Sequence, residues 1–415
     1  MTKTILLTTL LLCGSLLTAS AQTKDSDLEK YHRSSLYSIL LKHPEKEYCN
    51  EMIEAFKSIP IPDKYNNHDL KIKVMPSPIM KAMTKAEVEG AFKDAIGSML
   101  ERNKVGGRLV EKWFDRDKTT GAFDMKLVAE RGFYDASVLD VNVAKASARG
   151  MALLADAGEE LIGKTYVIVN DIRYADKETL KTAVAGGLLA AQLVTSFFGI
   201  GVDLSALGTT AAAANITSQI AGFKVMVTSY LFRLEWNDDV ANNFYSNYWI
   251  DPSSPDAERK QAWTAQMGKY NLNYIGSATV FSGKTSLGGV NSEKDMFLKV
   301  CTRAIDKSIS ELQKSFDEFK VYTPLITVEP LTAYIGMKEG MDEDSRYEIL
   351  EKVIDENGRT TYNRVGEVKP EKGKIWDNRF MASEDKEDGS ELQYTTFKKV
   401  SGKSFFPGML LREIR

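Results

Sequence analysis

Residues 158–165 read Gly158-Glu159-Glu160-Leu161-Ile162-Gly163-Lys164-Thr165, the G-x-x-x-x-G-K-T pattern of a phosphate-binding loop. Such a loop works when a strand delivers it and a helix follows, so that backbone N–H groups point at phosphate oxygens. Here a helical pattern precedes Gly158, and the β-branched run Thr165–Ile172 follows. Glu159 and Glu160 would also face the phosphate charge. The order predicts a helix-to-strand turn ending in glycine, and no nucleotide is expected. Gly283-Lys284-Thr285 lacks the upstream glycine and reads as a turn. The three histidines are His32, His43 and His68. None has a second histidine at ligand spacing, and no G-x-S-x-G elbow presents a serine to a base. They are expected to be surface or capping residues. Asp238-Asp239 and Asp342-Glu343-Asp344 are adjacent acids in polar runs, which face solvent more often than they catalyse. The second set lacks the glycine and distal glutamate of a calcium loop. The cysteines Cys13, Cys49 and Cys301 have no metal-ligand spacing. The last two are expected either to pair in an oxidising compartment or to stand as separate buried thiols. No catalytic, cofactor-binding or metal-ligating residue is assigned, and no cofactor is expected.

Two segments could make contacts rather than chemistry. Phe244, Tyr245, Tyr248 and Trp249, with Trp236 and Trp263 nearby, would suit a sugar- or peptide-contact surface. The plainer reading is a packing cluster at the end of a strand. From Thr182 to Phe223 the only charged residue is Asp203. This is too apolar for a surface loop between two strands. It would be buried core, an oligomer contact or a membrane-contacting element. Leu188, Leu193, Phe197, Phe198, Leu204, Ile216 and Ile220 are the candidate interface residues. Thr182 to Val202 is long enough to span a bilayer but is diluted by Gly and Ala.

These residues must be positioned by a chain of 415 residues, enough for two or three domains. With 43% apolar and 27% charged residues it has the composition of a folded soluble protein, not a disordered one. A net charge of −3 gives no global basic field, so nucleic acid is not an expected partner. Residues 1–21 read as a cleaved signal peptide: Lys3, the apolar run Ile5–Leu17, and Ala19-Ser20-Ala21 as the cleavage site. Cys13 lies within the apolar run with no small residue before it, which argues against a lipoprotein. The expected location is the periplasm or outer membrane, or the exterior.

The expected fold class is α+β, with N-terminal helices, a central mixed-sheet domain and a C-terminal small β-barrel or β-sandwich. Residues 22–103 form the N-terminal, mostly helical region. Leu28, Tyr31, Leu36, Ile39 and Leu40 fit one helix, and Met52, Ile53 and Phe56 a second. Lys71–Met75 reads as a short strand closed by Pro76 and Pro78. A helix runs from about Thr84, a capping residue with Glu87 three positions on, to near Arg102. Residues 104–320 form the central domain with the insert 182–222. Leu109–Phe114 reads as a strand, Asp124–Glu130 as a helix ending at Gly132, and Val141–Ala155 as a helix. Thr165–Ile172, Phe223–Trp236 and Asn271–Phe281 read as strands, and Glu293–Phe319 as a long helix. Residues 321–415 form the all-β domain. Asn357-Gly358 suits a type I′ turn between Tyr347–Ile354 and Thr360–Val365. Phe405-Phe406-Pro407-Gly408 makes a turn before a last strand, Met409–Ile414. Glu384–Asp388 reads as a solvated loop.

The layout from Leu109 to Phe319 resembles the curli-secretion channel (CsgG-like) lipoprotein family. The matching stretches are Lys164–Val169, Thr182–Gly222, Phe223–Trp236, Tyr274–Ser286 and Asn291–Phe319, about half the chain. The resemblance implies a periplasmic α/β domain that forms rings at the outer membrane, with 182–222 in the place of the membrane-inserting hairpin. The helical start and β tail also resemble secreted proteins of Bacteroidetes-type bacteria. The expected function is that of a non-enzymatic cell-envelope protein. It would act by self-assembly or by membrane or partner contact, in outer-membrane export or assembly. Its partners would be itself or other envelope proteins, with membrane contact through 182–222. The alternatives are a soluble periplasmic binding or scaffold module and a hydrolase with a carboxylate site.

Overall fold

The computed structural model describes residues 34–44, 46, 48–59, 61–62, 64–78, 85–135, 159–175, 224–283, 293–354, 360–382 and 392–414. The expected signal peptide, His32, the expected helix over 141–155, the 182–222 insert with its seven candidate interface residues, Asn357-Gly358 and Glu384–Asp388 lie outside them.

The fold is mixed α+β, built on two sheets. The first sheet takes β1 (Ser34–Lys42), β2 (Tyr65–Asn67), β3 (Val74–Pro76), β4 (Thr165–Ala175), β5 (Lys224–Leu234) and β6 (Leu272–Gly283). Its order is β2-β1-β4-β5-β6, with β3 beside the second half of β1. β1 is parallel to β2, β3 and β4, whereas β4, β5 and β6 run antiparallel to one another. The central strands are apolar on both faces and feed two separate cores. Tyr37, Ile39, Val167, Val169, Tyr230 and Phe232 face one helical layer. Leu36, Leu40, Ile168, Val225, Val227 and Leu231 face the other.

The second layer is α1 (Cys49–Ser58) and the long α7 (Glu293–Ser315), which continues into a 3₁₀ turn at Asp317–Phe319. The first comprises α2 (Lys85–Arg102), α3 (Val105–Trp113), α4 (Lys126–Asp135), α5 (Asp238–Asn247) and α6 (Ala257–Gln266). Asn237 and Asp256 cap α5 and α6 by accepting from the backbone N–H of Val240 and Arg259.

Two expected elements are corrected. The segment 34–42 is the strand β1, not a helix. A strand buried on both faces is a continuous apolar run, which periodicity alone does not separate from a helix. The segment 105–113 is the helix α3, not a strand. Val105, Leu109, Val110 and Trp113 recur at helical spacing, and all are fully buried. Gly106 and Gly107 begin this helix rather than ending the one before it. Their bare Cα atoms let the helix rest on the 267–270 backbone, where a Cβ would collide with the carbonyls of Tyr270 and Met267. Helix α4 also runs past Gly132 to Asp135.

The C-terminal strands β7 (Tyr322–Val328), β8 (Leu331–Ala333), β9 (Tyr347–Ile354), β10 (Thr360–Pro370), β11 (Thr395–Gly402) and β12 (Leu410–Glu413) close in the order β10-β11-β8-β7-β12-β9. This is a barrel, not a sandwich, and closure leaves no unpaired edge. Leu325, Ile335, Tyr347, Ile349, Val368 and Phe397 are among the residues that fill it. The barrel sits on α7. Ser310 Oγ donates to Glu339 O (3.1 Å), Lys314 Nζ to Gly340 O (3.0 Å) and Arg303 Nε to Phe380 O (3.0 Å).

Candidate functional site

The sheet brings several chain exits to one end. Ala175, the last residue of β4, pairs with Lys224, the first of β5, and Lys224 pairs in turn with Gly283, the last of β6. β1, parallel to β4, finishes at the same end, with Lys42 opposite Pro76 of β3. The segments 176–223 and 284–292 therefore both leave from the carboxyl end of the parallel strands, the end where open α/β sheets carry their sites.

A buried charge cluster marks this end. Leu41 of β1 is in register with Asp171 of β4, and His43 follows two residues on. His43 Nε2 donates to Asp171 Oδ1 at 2.5 Å. Asp171 Oδ2 accepts from Arg173 Nε at 3.1 Å and Nη2 at 2.9 Å. Asp171 is only 4% exposed. Burial by itself would raise its carboxyl, but the His43 hydrogen bond and the Arg173 charge outweigh that and hold it below the ordinary carboxylate range. Asp171 is thus a fixed negative charge with both oxygens engaged. It ties β1 to β4 four residues before β4 ends at Ala175. Beneath it a polar seam crosses the sheet. Asn170 Nδ2 donates to Ser38 Oγ (2.9 Å) and Ile39 O (3.2 Å), and Ser229 Oγ donates to Asn170 Oδ1 (2.7 Å). Ser229 Oγ also lies 2.8 Å from Ser308 Oγ on α7. The seam locks the register of β1, β4 and β5 against the helix, because a slip of one residue would strand each buried polar group.

The opposite end holds the second histidine. His68 is completely buried. Its Nε2–H donates to Leu109 O (3.1 Å), and its Nδ1 accepts from Arg131 Nη1 (3.2 Å). Arg131 Nη1 also donates to Ser35 Oγ (2.6 Å), and the guanidinium lies 4.2 Å from the centre of the Trp113 ring. Burial, reinforced by the neighbouring guanidinium, lowers the His68 pKa to about 3, so the ring is neutral. This cluster joins β1, the start of β4 through Thr165, and helices α3 and α4. Its partners are all engaged in packing, which makes it an internal support.

The expectation of surface or capping histidines is therefore corrected for both described ones. The sequence reading missed Asp171, although one signal was present. Asn170-Asp171 is a polar pair inside an otherwise apolar run, Tyr166–Ile172. The phosphate-loop pattern falls where the order of elements places it: residues 159–162 are helical, Lys164 N donates to Leu161 O (3.0 Å), and Thr165 opens β4.

Phe244, Tyr245, Tyr248 and Trp249 belong to the first core rather than to a contact surface. Phe244 is fully buried, 4.9 Å from Phe114 and 5.0 Å from Phe123 between ring centres, and the other three pack against the same cluster. Cys49 and Cys301 are separate free thiols, and burial of Cys301 pushes its thiol far above its usual range. Asp342 Oδ1 accepts from Asp344 N (3.0 Å) and Ser345 Oγ (3.0 Å), a local turn. Among the described residues no group of His, Cys, Asp and Glu is arranged to hold a metal. Nor is any helix among them long and apolar enough to cross a membrane. Comparison with protein-family models and with curated proteins finds no match to this chain.

Proposed function

We propose that this chain is an exported, non-enzymatic cell-envelope protein that works by assembly, with 182–222 as its self-association or membrane-contact element. The observation that carries this reading is the pairing of Ala175 with Lys224. Residues 182–222, whose only charge is Asp203, lie in the chain between these two adjacent strands, so the connection leaves from and returns to one end of the sheet. His43, Asp171 and Arg173 clamp the strand that leads into it. Lys224, the first residue of β5, also meets Gly283, the last of β6, at this end. The resemblance of layout to the curli-secretion channel family supports the same reading, because in that family the corresponding hairpin inserts into the membrane.

The test is light scattering coupled to size exclusion, run on residues 22–415 and on the same chain with 183–221 replaced by a short Gly-Ser turn. Both are run with and without mild detergent. The intact chain is expected to form a defined oligomer, or one that depends on detergent, and the shortened chain a folded monomer. A monomer from the intact chain under both conditions overturns the reading. If the shortened chain loses its secondary structure by circular dichroism, 182–222 is internal core and the assembly role is likewise overturned.

A further inference from the structure

Strand β12 closes the barrel by pairing with β7 on one side and β9 on the other. The pairing with β7 ends at Arg412, opposite Tyr322. Glu413 comes one residue later and is held by β9, opposite Tyr347, while Ile414 N donates to Arg346 O (2.8 Å). Residues directly opposite in an antiparallel pair project to the same face. Tyr347 belongs to the barrel core, so Glu413 points inward with it, as Leu411 does two residues earlier. Arg412 and Glu348 alternate to the other face. There Arg412 Nε donates to Glu348 Oε1 (2.5 Å) and Nη1 to the Tyr322 hydroxyl (3.0 Å). The arginine beside Glu413 in sequence is thus committed elsewhere.

Glu413 Oε1 is buried and has no hydrogen-bond partner among the described residues. A buried charge without a partner is costly. The groups that face it come from four places. Helix α7 brings Glu311 and Lys314, the link to the barrel brings Lys320, the turn before β9 brings Asp342, and β9 itself brings Tyr347. Both ammonium groups also serve other partners. Lys314 Nζ donates to Gly340 O (3.0 Å), and Lys320 Nζ lies 2.6 Å from Asp317 Oδ1. Burial is the largest influence. It is aided by Asp342 and Glu311 and opposed by the two lysines, and it pushes the Glu413 carboxyl up to about 7. The position matters as much as the charge. Lys314, which faces Glu413, is also one of the contacts that hold the barrel on α7.

We propose that Glu413 is a proton-operated latch that fastens the last strand of the barrel to β9 and to the seat on α7. With its carboxyl protonated, the end of β12 is closed. With the proton lost, an unpartnered buried charge faces Asp342 and Glu311, and the end of β12 releases. Released, the carboxyl has its ordinary value of 4.5, whereas closed it keeps its proton up to about pH 7. The closed strand therefore binds the extra proton. Its advantage is complete below pH 4.5, falls as pH rises and is gone above pH 7. The ratio of closed to released strand drops about tenfold between pH 6 and pH 8.

The experiment is hydrogen–deuterium exchange of the full chain at pH 6 and pH 8, read by mass spectrometry on the peptides of β12 and β9. Peptides of β5 are the internal reference, and rates are corrected for the pH dependence of chemical exchange. The parent is expected to lose about tenfold protection in β12 between the two pH values, with β5 unchanged. Glu413→Gln, a neutral side chain of the same shape, is expected to keep β12 equally protected at both. Glu343→Gln, an exposed acid next to Asp342, is expected to behave as the parent does. Infrared difference spectra of the parent between pH 6 and pH 8 give a reading that needs no variant to fold. They are expected to show the C=O band of a protonated carboxyl at pH 6, and that band is expected to be missing in Glu413→Gln. Equal β12 protection in the parent at both pH values overturns the proposal. So does the same pH dependence in Glu413→Gln as in the parent, or a parent spectrum without the carboxyl band.

Discussion

His68 and His43 lie twenty-five positions apart in sequence, yet they sit at opposite ends of β1 and are held by different chemistry. His43 meets a carboxylate 128 residues away, and His68 meets an arginine 63 residues away. Neither partner is visible from local spacing, which is why the sequence leaves both histidines without a role. The His68 environment has a measurable consequence. Its pKa is about 3 in the folded protein and about 6.5 in an unfolded chain. Below pH 6.5 the unfolded state binds a proton that the folded state does not. Stability is therefore complete above that pH and falls as pH drops toward 3, by up to about 1.4 kcal/mol per pH unit. Urea midpoints measured from pH 8 to 4 are expected to show this decline. In His68→Gln the slope between pH 6.5 and 4 should flatten, at the cost of a lower midpoint at neutral pH. A slope that is unchanged in the variant would place the titration elsewhere.

At the scale of elements, legibility follows exposure. β4, β5, β6, α7 and the β9–β10 pair are all readable, because they are long, β-branched or amphipathic, and bounded by turn residues. β1 and α3 are not. β1 is buried on both faces and carries no alternation to identify it. The start of α3 is written Gly106-Gly107, which by propensity is a break. Tertiary packing decides otherwise, since only glycine lets this helix lie against the Met267 and Tyr270 carbonyls. Gly107→Val is expected to force the helix away from that support and to destabilise the fold by roughly 2 kcal/mol or more. The check is a thermal melt by circular dichroism, and a melting temperature equal to the parent's would show that the 267–270 turn gives way without cost. At the candidate site β4, β5 and β6 were legible, but β1 and the clamp of His43, Asp171 and Arg173 were not. The clamp depends on the β1–β4 register, which is a property of the assembled sheet.

The whole molecule joins a three-layer sheet domain to a closed barrel that sits on α7, and Lys64 Nζ also donates to Tyr334 O. Gly340 lies in the left-handed region, with φ +78°, directly over Ser310 of α7. A side chain there is strained and would strike the Ser310 hydroxyl. Gly340→Val is expected to leave both units folded while loosening the seat. Limited trypsin digestion should then cut at Lys320, which lies between the 3₁₀ turn and β7, faster than in the parent. An unchanged cleavage rate would show that the seat does not depend on this contact. The division into a mixed sheet followed by a β tail was legible from composition and turn signals, whereas the way the two units meet was not, since it rests on pairings such as Ser310 with Glu339 that no pattern announces. The barrel also imposes an order in time. Every strand of the sheet is present once residue 283 has been made, and α7 once residue 315 has. The barrel, in contrast, closes through β12, which pairs with both β7 and β9 and is the last strand to be synthesised. During synthesis the β domain must therefore wait with two open strand edges until β12 arrives, and in that interval it is exposed to pairing with a neighbouring chain.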